Sequence, residues 1–529
     1  MIRVLDPATA VISPGAKPPK PTLYVAEELL VRAGPAFDAV RDDVRAALAE
    51  LGWTLQPVGE PRRRREVDLP LKLESRPPQV FGLQVSKDRT LAGPPDAWVA
   101  LQRIRAAIGA DRAAVFELNH VLLPAGGGGY WGGIGGGGYW GGIGGGGYWG
   151  GIGGGGYWGG IGGGGYWGGI GGGPAQYQVP GLGGKAPVAL VVADPARTAP
   201  ELARPPVVVM PDTGIGPHPW FARRLTSDAG DPQTQLAPKG VVTVVGTTVP
   251  DDSSGLADPL SGSGSPLAGH GTFIAGIVRQ KCPAARLEAH VLMDADGVIV
   301  ESDLIDALHT LLERQLKALA THDANLIVDV LSISAGYYHE DADDDPIDTS
   351  VEAVLRDLGR AGVLVVAGAG NDATDRPFLP AGFAAHALPD GLAMVSVGSL
   401  NPNASTVALF SNAGEWVTTY RTGAAVVSTL PLPQNAATQP GSEVPGINTL
   451  APAQQQAVRA GTRPAPLDRA TIDLDDFSGG FGVWSGTSFA TPIVAGALAQ
   501  NLVALGTDDV SLEAMLKRGR AALVGVVRS

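Results

Sequence analysis

Residues 207–214 read Val-Val-Val-Met-Pro-Asp-Thr-Gly, an apolar, largely β-branched run that ends in a carboxylate and a turn. A strand that is apolar on both faces belongs inside a parallel sheet covered by helices on both sides. The carboxyl ends of such strands are where open α/β sheets place their sites, which makes Asp212 a candidate functional residue. The same kind of run recurs downstream as VVTVV (241–245), RLEAHVLM (286–293), LIVDVLSIS (326–334), VLVVAG (363–368) and MVSVG (394–398). Helical segments fall between them near 270–280, 302–319 and 350–361, with another at 488–504. Strands alternating with helices predict an α/β domain built on a parallel sheet. Residues 432–470, rich in Pro, Gln and Ala, read as a surface insertion.

Two further motifs open helices in this region. Gly269-His270-Gly271-Thr272 sets a histidine between glycines that allow close approach to its ring. Gly486-Thr487-Ser488-Phe489-Ala490-Thr491-Pro492 places a hydroxyl at a helix N-terminus, where developing negative charge is stabilised. Pro492 is tolerated because first-turn N–H groups lack intrahelical partners. Each motif alone is also an ordinary turn or cap. Together they supply an acid, a base and a nucleophile. A serine hydroxyl needs a base to accept its proton, and imidazole can take that proton and return it to a leaving amine. A carboxylate fixes the imidazole tautomer.

The order Asp, His, Ser, with VVVMPDTG, GHGTFIAG and GTSFATP as the carrying motifs, resembles the subtilisin-like serine proteases. SISAG (332–336), VVAGAGN (365–371), LPAGF (379–383) and ALFSNAG (408–414) support the likeness, which spans residues ~203–525. The resemblance implies that Asp212 orients His270, that His270 is the general base and Ser488 the nucleophile. It also implies that the Asn371 amide joins the Ser488 backbone N–H in an oxyanion hole. Ser334-Ala335-Gly336 and Gly368-Ala369-Gly370 would flank the S1 pocket, where small extended segments suit an added peptide strand. The expected fold is a subtilisin-like parallel sheet flanked by helices. Three departures stand out: a Ser/Gly/Pro-rich insertion at 251–268, Arg421-Thr422-Gly423 where the family has Ala-Pro-Gly, and the 432–470 insertion. Asp341–Asp345 reads as a solvated acidic loop, with structural Ca²⁺ as the alternative; no cofactor is required.

Ahead of this domain, residues 1–125 suggest the element order βαββαβ, a small α+β ferredoxin-like domain. The expected elements are strands at 28–32, 53–58, 80–85 and 113–123 and helices at 36–51 and 96–108. Subtilisin propeptides share that pattern and act as folding aids and inhibitors. Asn119-His120-Val121-Leu122-Leu123-Pro124-Ala125 resembles the tail of one, which places the scissile bond at Ala125–Gly126. Ala125 suits almost any S1 pocket, Pro124 pre-sets an extended P2 and Leu122 is an apolar P4. Arg62–Arg65, in the loop between the middle strands, reads as a solvated basic run, with a protease-sensitive or anion-binding site as alternatives.

Between the two, GGGGYWGGI repeats five times without error from Gly126, and the tract to residue 173 holds 33 of the chain's 76 glycines. Glycine at that density carries too high an ordering entropy to fold compactly, so a tether is expected. The repeats contain no acidic residue, which excludes a calcium-binding nonapeptide roll. Residues 174–202 form a Pro-rich connector to the protease-like domain at 203–529.

Of the 529 residues 44% are hydrophobic and 17% charged, which excludes a wholly disordered chain. The net charge is −13, distributed as +2 over residues 1–125 and −15 over the rest. That balance argues against nucleic acid as a partner and is compatible with docking of the two parts. Cys282 is the single cysteine, so no internal disulfide forms. Neither a secretory signal nor a run of 18 apolar residues is present, so a cytoplasmic protein without membrane partners is expected. The sequence therefore predicts a serine endopeptidase acting on protein or peptide substrates, made as a zymogen with its own N-terminal domain as intramolecular inhibitor. An assembly protein driven by the Tyr/Trp repeats, with the protease domain regulatory, is the competing reading, and a pseudoprotease binding module is a third.

Overall fold

The N-terminal 124 residues contain β1 (Ile2–Leu5), β2 (Thr22–Val31), β3 (Trp53–Pro57), β4 (Gln79–Val85) and β5 (Phe116–Pro124), with helices Arg41–Glu50 and Ala97–Ile108. The strands form one antiparallel sheet in the order β5-β2-β4-β3, with β1 added beside β2. This is the expected βαββαβ arrangement with one unforeseen strand. Both helices turn apolar faces, Val44, Ala47 and Leu48 on one and Trp98, Leu101 and Ile104 on the other, into a core with Leu29, Phe81 and Leu118. Asp96 caps the second helix by accepting from the Val99 N–H at 3.0 Å. The helix expected over 36–51 is broken, because Pro35–Asp38 forms a separate turn before Arg41. The computed structural model describes residues 1–13, 15–32, 34–62, 69, 71–86, 93–124, 177, 182–227, 241–246, 251, 262, 264–294, 297–343, 349–436 and 442–527. The GGGGYWGGI tract and the Ala125–Gly126 bond lie outside them.

The remaining strands follow in chain order: β6 (Ala186–Pro187), β7 (Val207–Asp212), β8 (Arg223–Ser227), β9 (Val241–Val245), β10 (Arg286–Val291), β11 (Ile299–Val300), β12 (Val330–Ile333), β13 (Ala335–Gly336), β14 (Leu364–Gly368), β15 (Val395–Leu400), β16 (Thr419–Thr422), β17 (Val426–Thr429), β18 (Glu443–Val444), β19 (Arg469–Ala470) and β20 (Phe481–Trp484). Eight of them form a wholly parallel sheet in the order β16-β15-β14-β12-β7-β10-β9-β8. Every residue of β7, β12 and β14 is buried, and Asp212 and Ser332 are the polar side chains among otherwise non-polar residues. Helices His270–Lys281, Glu301–Thr321, Ser350–Arg360 and Thr487–Leu505 flank the sheet, and a C-terminal helix not foreseen from the sequence, Leu512–Leu523, packs on Thr487–Leu505. Thr487–Leu505 is long and apolar enough to cross a membrane, but most of it lies inside the protein core. The described part of the 432–470 insertion is largely exposed and carries the short helix Pro452–Arg459, with no buried residue.

Two smaller connections position the site. The connector returns as β6, which pairs with β20 just ahead of Ser488. The N-terminal sheet runs on into the larger domain, because β5 pairs antiparallel with both β11 and β13. Leu30 and Leu122 belong to the larger domain's own hydrophobic core.

Candidate active site

Asp212 ends β7 and His270 begins the helix His270–Lys281; the two side chains meet with His270 Nδ1 at 2.8 Å from Asp212 Oδ1 and 3.0 Å from Oδ2. Both are buried. The loop after β7 is fastened to the helix, since the Gly271 N–H donates to Thr213 Oγ1 and the Gly216 N–H to Thr272 Oγ1, each at 2.8 Å. Gly269, the helix N-cap, has φ +81°, and a Cβ there would crowd Gln434 and Pro431. The cap itself comes from a residue that no motif marked. Asp251 accepts from the Gly269 N–H (2.9 Å), the Thr272 N–H (3.0 Å) and the Thr272 hydroxyl (2.5 Å). Burial pushes its carboxyl up to about 6, against the opposing pull of those hydrogen bonds.

Ser488 sits in the first turn of Thr487–Leu505. Its hydroxyl donates to the Ser334 carbonyl at 3.0 Å, not to His270; His270 Nε2 has no hydrogen-bond partner among the described residues. The His270 ring lies against Trp484 (5.7 Å, edge-on) and Phe489 (5.4 Å). Asn371 Oδ1 accepts from the Thr487 N–H at 2.9 Å, which orients the amide. Its Nδ2 is buried and, among the described residues, has no partner. A polar donor held in this way beside a serine is what a developing oxyanion requires.

Ser334-Ala335-Gly336 forms one wall of the cleft, and it is already paired. Ala335 lies opposite Pro124 and Gly336 opposite Leu123, while across the tail Ile299 faces Leu122 and Val300 faces Val121. The last described residues of the N-terminal domain, ending at Pro124, thus form the middle strand of a three-stranded ribbon. Gly368-Ala369-Gly370 leads from β14 to Asn371, and the Gly370 N–H donates to Thr487 Oγ1 at 3.1 Å. No hydrogen bond joins 368–370 to the tail among the described residues.

The N-terminal domain makes further apolar contacts through Leu71, Leu73 and Val80, and several polar ones. Glu117 accepts from the N–H and hydroxyl of Ser350 at the start of one flanking helix. Asn119 Oδ1 accepts from the Ser302 N–H at the start of the other. Arg62 donates to the Asp306 carbonyl (2.7 Å) and Thr310 (2.9 Å), so the first residue of the basic run docks on a helix rather than facing solvent; Arg63–Arg65 lie outside the described residues. In the acidic loop, Asp343 pairs with Lys17 of the N-terminal domain at 2.8 Å, while Asp344 and Asp345 are not among the described residues. Burial pushes Glu117 up to about 7, opposed by Arg32 and reinforced by Glu301.

Lys185 was also invisible in the sequence. Its ammonium donates to the Ala268 carbonyl at 2.6 Å and sits over the rings of Trp484 (4.4 Å) and Phe477 (5.0 Å). Burial lowers its pKa to about 7, the Asp251 charge opposing. Asp251 and Lys185 lie in an insertion and a connector whose chemistry depends on remote partners, so no local spacing announces them. Among the described residues, one group has ligand atoms close enough to hold a metal ion: His120, His339 and Glu340, at the junction of the two domains.

The subtilase family model matches residues 204–506. Among solved structures, a cold-adapted subtilisin-like serine proteinase is 17% identical, covering 63% of this chain and 87% of its own, with a TM-score of 0.35. A mutant of the protease domain of PatA is 18% identical, covering 62% and 97%, with a TM-score of 0.35. No curated protein matches. The chain belongs to the subtilase family. It is a subtilisin-like serine endopeptidase.

Proposed function

We propose that the protein is a self-inhibited zymogen whose protease domain cleaves peptide bonds through an acyl-enzyme on Ser488. His270 Nε2 takes the Ser488 proton as Oγ attacks the carbonyl carbon, and the same nitrogen returns it to the leaving amine. Water then repeats the exchange to release the acid. Asp212, hydrogen-bonded to Nδ1, holds the tautomer that leaves Nε2 free and balances the imidazolium. Asn371 Nδ2 and the Ser488 N–H donate to the oxyanion, a contribution of ~3–4 kcal/mol for one such donor. The serine hydroxyl must leave the Ser334 carbonyl to donate to His270.

The observation that carries the zymogen reading is the ribbon: Leu122–Pro124 occupies the strand position that a substrate's residues would take, between β11 and β13. With Leu123 opposite Gly336 and Pro124 opposite Ala335, the described tail ends one register position short of Ser334, whose carbonyl now holds the Ser488 hydroxyl. This supports Ala125–Gly126 as the scissile bond and residues 1–125 as the inhibitor. The test is to express wild type and Ser488→Ala side by side, with intact mass, N-terminal sequencing and fluorophosphonate labelling. Wild type is expected to give a fragment beginning at Gly126 and to label at Ser488; the mutant stays whole and unlabelled. An uncut wild type that hydrolyses peptides freely refutes the inhibitory reading, and undiminished turnover in Ser488→Ala refutes the nucleophile.

A further inference from the structure

We propose that His120, His339 and Glu340 form a binding site for a zinc-type divalent cation that ties the N-terminal domain to the protease domain. His120 comes from β5; Glu340 and His339 follow β13, the strand that β5 pairs with. One ligand atom from each lies within 4.8 Å of the others. His120 Nε2 is 2.8 Å from Glu340 Oε2, and His339 Nδ1 is 3.5 Å from that oxygen. Tetrahedral zinc with bonds of ~2.0–2.1 Å sets its ligand atoms ~3.3–3.4 Å apart, between those two separations. Two imidazoles and a carboxylate are a donor set for zinc or a neighbouring transition metal rather than for calcium or magnesium, which prefer all-oxygen shells.

The surroundings are built as a metal site's second layer is built. A ligating histidine usually hands its other N–H to a carboxylate, which fixes tautomer and ring plane. His120 Nδ1 lies 2.6 Å from Glu301 Oε2, and Glu301 is itself held by the Tyr337 hydroxyl at 2.9 Å and the His120 N–H at 3.0 Å. Tyr337 stacks on the His120 ring, centroids 4.5 Å apart. Charge points the same way. Two buried carboxylates flank His120, so among the groups in direct contact a protonated imidazole leaves one negative charge uncompensated, whereas a dication between neutral imidazoles balances both. His120 and Glu340 are buried, but the His339 side chain keeps 17% of its surface exposed, which gives the ion an entry and a water its fourth position. On binding, the ion replaces the proton between His120 and Glu340. It also replaces the Asp341 N–H that His339 Nδ1 now accepts at 3.0 Å.

Because its ligands come from two domains, the site exists only when they are docked, and an ion that binds it stabilises the docked form. The inference rests on that docking alone and stands whether or not the N-terminal domain inhibits. The experiment uses full-length Ser488→Ala, which remains uncut, stripped of metal and titrated with Zn²⁺ against a chromogenic chelator. One equivalent is expected to bind, with a rise in melting temperature and without competition from Ca²⁺ or Mg²⁺. His120→Ala and His339→Ala should each weaken binding at least 100-fold, and Glu301→Gln, acting only through His120, about 10- to 100-fold. Circular dichroism establishes that each variant is folded, and the partly exposed His339 serves if His120→Ala is not. Absence of stoichiometric zinc binding, or binding indifferent to the His339 substitution, overturns the proposal and leaves the cluster as an ion triad.

Discussion

Gly271→Ala sets two effects of opposite sign against each other. Alanine in a helix is worth ~1 kcal/mol over glycine, so by propensity alone the variant gains stability. The surroundings of Gly271 oppose this. A methyl carbon there would overlap the Gly214 carbonyl oxygen and stand 2.9 Å from the Gly214 nitrogen, both backbone atoms of the loop that follows Asp212. Carbon rests ~3.5 Å from such neighbours, so loop and helix must part by roughly 1 Å. That displacement falls on the 2.8 Å contact between Asp212 and His270, because one residue is carried by the loop and the other by the helix. A misplacement of ~1 Å in a reacting constellation lowers the rate ~10²-fold, or about 2.7 kcal/mol of transition-state stabilisation. The cleft wall at β13 is untouched, so the loss should appear in kcat with KM nearly unchanged. Steady-state hydrolysis of a peptide by the activated enzyme, with thermal melting in parallel, reads both effects. A variant with kcat within threefold of wild type would refute the reasoning, since the loop and helix would then be free to separate without disturbing the acid–base pair.

Asp251→Ala leaves three donors of the histidine helix without their acceptor and should lower stability by about 3–5 kcal/mol in urea denaturation; a loss below about 1 kcal/mol would mean the cap is dispensable. Leu122→Ala removes a fully buried side chain from the protease core and should weaken docking by about 2–5 kcal/mol. In full-length Ser488→Ala, amide hydrogen exchange across the β5–β11 and β5–β13 pairs should then accelerate at least tenfold, and unchanged protection would count against the packing account. Docking should also strengthen as pH falls. Burial holds Glu117 at about 7 when docked, above its ordinary range, so docking that buries it takes up a proton and the gain accrues as pH falls below about 7. Glu117→Gln should flatten that part of the profile; an identical pH dependence in the variant would assign it elsewhere.

What the sequence made legible follows from where its information is local. β7, β12 and β14 are mostly apolar because they are buried on both faces, and the three motifs stand at strand ends and helix starts. Asp212, His270 and Ser488 therefore stand out as an acid, a base and a nucleophile, while Asn371 is marked only by the resemblance to subtilisin-like proteases. Periodicity was less reliable at joints. Phe37 and Val40 continue the spacing of Val44 and Leu48 and all four are buried, so the pattern does not reveal that the helix is interrupted between Asp38 and Arg41. The C-terminal helix contains Gly519, a poor helix former that fits because a Cβ there would collide with Leu392. Asp251, Lys185 and the partners of His120 were beyond reach for another reason. Each acts on a group far along the chain, and nothing beside them in the sequence says so.

The two attachments on either side of the repeat tract decide what becomes of it. Upstream, the chain is held in the cleft as far as Pro124. Downstream, it is fixed to the protease domain by Tyr177, whose hydroxyl donates to Asn401 at 2.6 Å and whose ring meets Phe410, and then by β6 on β20. A cut at Ala125–Gly126 therefore divides the protein unequally. The departing domain would carry off none of the five GGGGYWGGI units, and the enzyme would inherit them all as a leading sequence rooted at Tyr177. Maturation on those terms removes an inhibitor and, in the same step, gives the repeats a free end.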